Sequence, residues 1–379
     1  MSSIGVTLFR DFHEDHRASM EIYADGLGEA LQAGFSDRCH AREYRPQLNP
    51  RFGDGTWAMR LARYVSYPSQ ARRCQGSSTG TINHVIDHGY GHLLYALDPK
   101  RTIVTVHDLI PLVRSRGGIP SVPVGSKPWL NSVSFNALRR AGHLIAASES
   151  TKRDLINLCH CNSNRISVIS YGVSPRFQAY APTEKLRVRR GFGLPSDVFC
   201  VLTLGAQFYK NQTGSLRAFA KFAQTSKRPV CLVTTAQLGT EWTELLHKLA
   251  LVDRVKLLPS LAHDQMVALY NSIDCLLFPS LYEGFGWPPL EAMACGIPVV
   301  TSNAASLPEV VGPAALTCAP QDYDAIAHAL HRVSTDADLR RSMVEQGLVR
   351  SQQFTWETAA RKTLAVYETV AASFEHSDN

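Results

Sequence analysis

Glu283 and Glu291 stand eight positions apart in DCLLFPSLYEGFGWPPLEAMACGIPVVTSNAASLPEVV, residues 274–311. The stretch reads as a strand over 275–278, a loop over 279–287, a helix over 288–295, a turn at Gly296 and a strand over 297–301. Pro288 and Pro289 suit only the first turn of a helix, and Gly296 suits its stop. A strand that feeds a loop and a helix N-terminus is where α/β folds hold phosphates, because free N–H groups and the helix dipole point into the loop. Gly284 and Gly286 let the backbone approach a ligand closely. Glu283 in the loop and Glu291, expected in the first helical turn, could each grip sugar hydroxyls, as acidic residues grip dinucleotide riboses. Taken as two isolated glutamates, they read first as a solvated loop carboxylate at Glu283 and a complement to the helix dipole at Glu291.

Two further residues carry chemistry. Lys210 follows a strand and the Gly205 turn and precedes a helix expected over 214–222, a sound place for a phosphate cation. A surface lysine is the plainer alternative. His107 ends the buried run RTIVTVHDLI, where a neutral, hydrogen-bonded histidine is the default.

The elements that must position these residues are legible as short apolar runs. Beside RTIVTVHDLI they include AGHLIAAS, NRISVIS, DVFCVLTLG, RPVCLVTT, DRVKLLPS, IDCLLFPS and GIPVVTS, with Ile4, Val6 and Leu8 alternating in a first strand. Fully apolar short strands alternating with helices predict parallel sheets covered on both faces, a doubly wound α/β architecture. Two such series appear, separated by the strand-free, Pro- and Gly-bearing stretch 171–196. Thr355 is the expected N-cap of a long terminal helix.

The 274–311 stretch closely resembles the signature of the large retaining glycosyltransferase family 4, built on the GT-B fold. The family pattern PSxYEGFGxPxLEAMAxGxPVxxS, followed by LPEV, is met almost letter for letter. HDLIP at 107–111, ASESTKRDL at 147–155, YGV at 171–173, Gly205…Lys210-Asn211, LYNSIDCLLFPS at 269–280 and the closing FTWETAA occur in the family's order. The resemblance covers the chain from about residue 80 onward. It implies two doubly wound Rossmann-like domains facing each other across a cleft. Residues 1–181 would form the acceptor-side domain, 182–356 the nucleotide-sugar domain, and 357–379 a helix packing back on the first.

It also implies roles. Glu283 would contact the donor sugar, and the N–H groups of Gly284, Phe285 and Gly286 would hold sugar and diphosphate. Glu291 would bind the nucleotide ribose. Lys210, beside Gly205, would neutralise the departing diphosphate, and His107 would serve the sugar and acceptor. Two departures stand out. Family members commonly carry an Arg a few residues before that Lys, but GAQFYKNQ has none. Many also carry a Gly-Gly loop after the first strand, where this chain has FRDFHEDHRASMEIY. Arg10, His13 and Arg17 could supply cations there. The resemblance implies a retaining, metal-independent transfer of a hexose, from a UDP-glucose-type or GDP-mannose-type donor, to a glycan or lipid-linked acceptor in bacterial-type polysaccharide or lipopolysaccharide synthesis. No cofactor and no nucleic-acid partner are expected. A nucleotide-sugar epimerase and a non-catalytic sugar-nucleotide binder are the alternatives.

Composition bounds these readings. The chain has 379 residues, 45% hydrophobic and 19% charged, which excludes disorder and fits two domains. The start lacks a basic n-region and a long apolar core, and no run approaches a membrane-spanning length. Nine cysteines without a C-x-x-C pair point to reduced thiols in a cytoplasmic protein. The net charge of +6 lies in the N-terminal half, where residues 1–181 hold 21 Lys/Arg against 14 Asp/Glu. Arg38, Arg42, Arg45, Arg51, Arg60, Arg63, Arg72 and Arg73 crowd that half against Glu43 and Asp54. An anionic partner, such as a membrane surface met by Arg60, Arg63, Arg72 and Arg73 flanking Trp57 and Tyr64, is one account, and a solvated basic face is the other. His13-Glu14-Asp15-His16 lacks the helical spacing of a zinc site. Asp336-Ala337-Asp338 reads as a helix cap.

Overall fold

The computed structural model describes residues 3–48, 55–76, 81–119, 129–235 and 239–375, so Arg51 and Asp54 lie outside the described residues. The chain folds as two compact units. Of the described residues, the first holds those up to Gly118, those from 129 to Gly172 and those from Thr355 on, and the second holds Ile119 and those of Val173–Phe354. The chain thus changes units after Gly172 and after Phe354, earlier than the expected 181 and 356. Tyr171 is buried and stacks on Trp356, and a Cβ at Gly172 would fall 2.3 Å from the Trp356 nitrogen. That packing ties residues 171–172 to the first unit.

The first unit contains β1 (Ile4–Phe9), β2 (Cys39–Tyr44), β3 (Ile82–Val85), β4 (Thr102–Val106), β5 (His143–Ala146) and β6 (Ile166–Val168) in one parallel sheet ordered β2-β1-β3-β4-β5-β6. Every residue of β3 and β4 is buried, as sheets covered on both faces require. The edge strand β2, CHAREY, buries only Cys39, which is why no apolar run announces it. Around this sheet lie α1 (Ala18–Phe35), α2 (Thr56–Leu61), α3 (Tyr67–Gly76), α4 (Ile110–Ser115), α5 (Trp129–Ala137) and α6 (Glu149–Cys159); a π-helical turn, Ala62–Ser66, joins α2 to α3.

The second unit begins with α7 (Pro182–Gly191) and builds a second parallel sheet. Its strands are β7 (Phe199–Thr203), β8 (Val230–Thr234), β9 (Val255–Leu257), β10 (Cys275–Phe278), β11 (Val299–Ser302) and β12 (Leu316–Cys318), ordered β12-β11-β10-β7-β8-β9. Its further helices are α8 (Gln212–Thr225), α9 (Thr240–Lys248), α10 (His263–Asn271), α11 (Trp287–Ala294), α12 (Leu307–Val311), α13 (Tyr323–Thr335) and α14 (Ala337–Ser351). Asp336 caps α14 by accepting from Leu339 N at 2.9 Å, the role its sequence position predicts.

The last helix, α15 (Trp356–Glu375), belongs to the first unit. Thr355 Oγ1 accepts from Thr358 N at 3.1 Å and starts it. Its Tyr367 hydroxyl lies 2.7 Å from His84 Nδ1, both fully buried beneath the first sheet's helical layer.

Candidate active site

The strand order of the second sheet creates the site. From β7 the chain moves outward through β8 and β9, then crosses back to β10 on the other side of β7. The loops after β7 and β10 therefore diverge from neighbouring strands, whose pairing sets Val201 beside Cys275 and Leu202 beside Leu276. Such a divergence opens a crevice at the carboxyl ends of the strands, where doubly wound folds bind ligands.

Lys210 comes from the first loop and Glu283 from the second. Lys210 Nζ donates to Glu283 Oε1 at 2.8 Å and to Oε2 at 3.1 Å. Their side chains are only 15% and 9% exposed. The ammonium also lies 4.8 Å from the Phe278 ring centre and 5.2 Å from that of Tyr209. The loops are knitted to each other through the backbone: Leu281 N donates to Tyr209 O at 2.7 Å. Asn211, in left-handed conformation at φ 55°, donates from Nδ2 to the carbonyls of Pro279 and Pro320 at 3.0 and 2.8 Å. Gly205 holds φ +86°, and a Cβ there would fall 2.7 Å from Lys210 Cγ.

The glutamate loop is buried and pinned. Ser306 Oγ lies 2.9 Å from the carbonyl of Glu283 and 2.6 Å from that of Phe285. Gly286 caps α11 at φ +119°, a backbone that L side chains rarely adopt. With the helix beginning at Trp287, Glu291 sits in the second turn and not, as expected, in the first. It therefore does not serve as a first-turn complement to the dipole. Tyr270, fully buried in α10, donates its hydroxyl to Glu291 Oε2 at 2.8 Å. Burial raises the Glu291 carboxyl to about 7, against the opposing pull of the Tyr270 hydrogen bond and the Lys210 charge. The second unit thus brings Gly205, Lys210, Glu283, Gly284, Phe285, Gly286 and Glu291 to one end of its sheet.

His107 belongs to the first unit, just beyond β4. Its Nε2 lies 2.7 Å from the Ile86 carbonyl and so carries the proton; its Nδ1 then accepts from the Tyr171 hydroxyl at 2.6 Å. Burial lowers its pKa to about 4, against the pull of Asp87. The ring is neutral, and both nitrogens are engaged inside the unit.

Residues 185–350 match the family model described as Glycosyl transferases group 1, and residues 19–177 match the one described as Glycosyltransferase Family 4. O-antigen chain mannosyltransferase B of Escherichia coli is 30% identical over 275 residues, covering 71% of this chain and 70% of that relative. The chain belongs to glycosyltransferase family 4. Serotype-specific mannosyltransferase WbdA of Escherichia coli is 28% identical over 287 residues, which are 74% of this chain but 35% of that longer protein. Sucrose-phosphate synthase from Thermosynechococcus elongatus superposes with a TM-score of 0.80 over 98% of this chain and 100% of that one, at 21% identity. Its likeness shows the GT-B fold.

Within this family 4 chain, the region that departs from the family pattern holds the residues sequence reasoning missed. Arg10 is no spare cation: it is buried and paired with Glu21, Asp25 and Glu43 at 2.5, 2.7 and 2.8 Å. Arg17 is paired with Asp87, whose side chain is wholly buried, while His13 is exposed. Asp87 also accepts from Gly89 N at 2.8 Å and lies 3.3 Å from His88 Nδ1. Burial pushes the Asp87 carboxyl up, but Arg17 prevails and holds it below the ordinary carboxylate range. Asp11 is 1% exposed, and neither carboxyl oxygen finds a hydrogen-bond partner among the described residues. Burial and the neighbouring Asp87 charge push it well up, so Asp11 is protonated at neutral pH. Asp11 and Asp87 follow β1 and β3, the strands between which the first sheet's order reverses. The signal in the sequence was an acid placed just past an apolar run. No group of three or more His, Cys, Asp or Glu suited to a metal exists among the described residues, His13–His16 included.

Proposed function

We propose that this glycosyltransferase moves a hexose from a nucleotide-diphosphate sugar to a hydroxyl of a glycan or lipid-linked acceptor, with retention and without a metal, in polysaccharide or lipopolysaccharide assembly. Its mannosyltransferase relatives favour mannose as the hexose. The observation that carries the reading is the Lys210–Glu283 pair at the strand-order reversal of the second unit.

The bond from the anomeric carbon to the diphosphate oxygen breaks as the bond to the acceptor oxygen forms, through an oxocarbenium-like state. Negative charge grows on the departing diphosphate, and Lys210, already desolvated, meets it together with the loop amides of Gly284, Phe285 and Gly286. Glu283, released from full pairing with Lys210, accepts hydrogen bonds from the sugar hydroxyls. Glu291 accepts from the ribose. The acceptor proton passes to the leaving phosphate oxygen on the face it departs from, which gives retention without a carboxylate nucleophile. His107, with both nitrogens engaged, shapes its end of the first unit and takes no proton. A set of nine cysteines, six of them buried, accords with a cytoplasmic enzyme at the inner face of the membrane that carries such an acceptor. No helix among the described residues is long and apolar enough to cross a membrane.

A thermal-shift screen of nucleotide sugars tests the donor side, because a ligand at 100 times its dissociation constant adds about 2.7 kcal/mol. GDP-mannose is the expected hit, and the anomeric configuration of the product reports the stereochemistry. Failure of every nucleotide sugar to bind overturns the reading. An isomerised donor formed with no acceptor present would point to an epimerase.

A further inference from the structure

The described arginines of the basic N-terminal segment divide into two groups. Arg38 pairs with Glu368, and Arg42 donates to Thr7 Oγ1. Arg45 grips Glu21 through both terminal nitrogens at 2.8 and 2.6 Å. Arg63 donates to the Gly89 carbonyl at 3.1 Å and lies over the Tyr90 ring. These four are used within the fold. Arg60, Arg72 and Arg73 are exposed on α2 and α3, and no carboxylate pairs with them among the described residues. The run from Thr56 to Gly76 contains no acidic residue.

The same run carries an apolar stripe. Trp57, Leu61 and Val65, spaced by four, are 80%, 42% and 60% exposed. Ala62, Tyr67 and Ala71 bury the opposite face. Single exposed apolar side chains are ordinary, but three in helical register, flanked by unpaired arginines, form the pattern of a helix that lies in a membrane interface. Arg60 stacks over Trp57 at 5.5 Å, which keeps the indole beside a cation. Next to the stripe, a groove of about 500 Å³ runs between Tyr64, Pro68, Arg72, Tyr95 and Val133. Tyr95 is half exposed and carries Arg140 over its ring at 5.2 Å. Aromatic rings with polar tips and cations beside them suit the headgroup level of a bilayer.

We propose that the outer face of residues 56–76 docks on an anionic lipid bilayer. Trp57, Leu61 and Val65 enter the boundary between headgroups and acyl chains, and Arg60, Arg72 and Arg73 meet lipid phosphates. The occupant is assigned by charge complementarity, since the described run 56–76 offers cations and apolar groups and no acid to recognise a basic partner. This deepens the lipid-linked acceptor reading above and rests on it only for its biological purpose.

Co-sedimentation with phosphatidylcholine vesicles, with and without phosphatidylglycerol, tests it on the full-length protein. The wild type should partition onto the anionic vesicles at least ~10-fold more than onto neutral ones, and salt should weaken that preference. The triple variants Trp57→Ser/Leu61→Ser/Val65→Ser and Arg60→Gln/Arg72→Gln/Arg73→Gln should each lose at least ~10-fold. Circular dichroism and nucleotide-sugar thermal shifts should be unchanged in both, which separates lost docking from lost fold. Quenching of tryptophan fluorescence by brominated lipid should fall in Trp57→Phe. Equal binding to both vesicle types, variants that bind like the wild type, or a vesicle-free dimer that the serine variant dissolves would overturn the proposal. Vesicle binding that behaves as expected in a protein that binds no nucleotide sugar would leave docking intact and sink the transferase reading.

Discussion

Lys210 Nζ lies 2.8 Å from Glu283 Oε1 across two loops that leave adjacent parallel strands, and both side chains are nearly withdrawn from water. Removing one partner of such a pair leaves the other charge desolvated and unpaired, at a cost of about 3 kcal/mol. Lys210→Ala and Glu283→Ala should each lower thermal stability by that order and reduce transfer by at least ~100-fold. The double variant Lys210→Met/Glu283→Gln should recover most of the stability and none of the activity. Chemical denaturation alongside a transfer assay separates the two effects, and restored activity in the double variant would sink both assignments.

On the proposed ribose contact, Glu291 should make nucleotide binding pH-dependent. Its folded pKa of about 7 lies above the ordinary glutamate value. Its contribution to stability is therefore complete below about pH 4 and is lost as pH rises through 7. The ionised carboxylate is the better acceptor for ribose hydroxyls, so nucleotide affinity should rise as pH climbs from 6 to 8. Tyr270→Phe removes the hydrogen bond that favours the ionised form and should move the midpoint upward. Glu291→Gln should flatten the profile. Calorimetric titration of the nucleotide across that range decides it.

Gly205 and Gly286 hold backbone conformations that an L side chain resists. Gly205→Ala should cost about 1–2 kcal/mol and also displace the Lys210 stem that its Cβ would touch. Its transfer rate should fall further than that of Gly312→Ala, which also places a side chain at positive φ, +55°, but against Arg350. Matched melting curves with kcat measurements test this.

Asp11 and Asp87, both buried, should respond oppositely to amidation. Asp87→Asn strips Arg17 of its partner and should destabilise the fold by about 2 kcal/mol. Asp11 is already uncharged, so Asp11→Asn should be tolerated. Because the raised Asp11 pKa costs the wild type stability as pH increases above the ordinary aspartate range, the advantage of Asp11→Asn should grow between pH 5 and 8. Urea unfolding at several pH values is the measurement, and a pH-independent difference would refute the protonated assignment.

Much of this protein is local and was legible from its residues. Apolar runs located β1, β4 and β5 of the first sheet and the central strands of the second, because strands buried on both faces are mostly apolar; central β3, INHV, escaped because it buries Asn83 and His84. Pro288, Pro289 and Gly296 marked α11 within a residue, and Asp336 and Thr355 marked the starts of α14 and α15, since caps and prolines act through their own backbone. The edge strands β2 and β12 escaped, being half polar where one side meets solvent. What lay beyond sequence reading is set by crossovers and by burial. Nothing in local periodicity puts Lys210 against Glu283, which are 73 positions apart; the strand order β10-β7 does. Nor could spacing show that Tyr270 reaches Glu291, that Tyr171 closes the His107 ring, or that three carboxylates absorb Arg10. The N-terminal charge surplus was plain in the sequence. Only the packed structure decided which arginines neutralise buried acids and which, beside Trp57, stay turned to the outside, because pairing depends on neighbours distant in the chain.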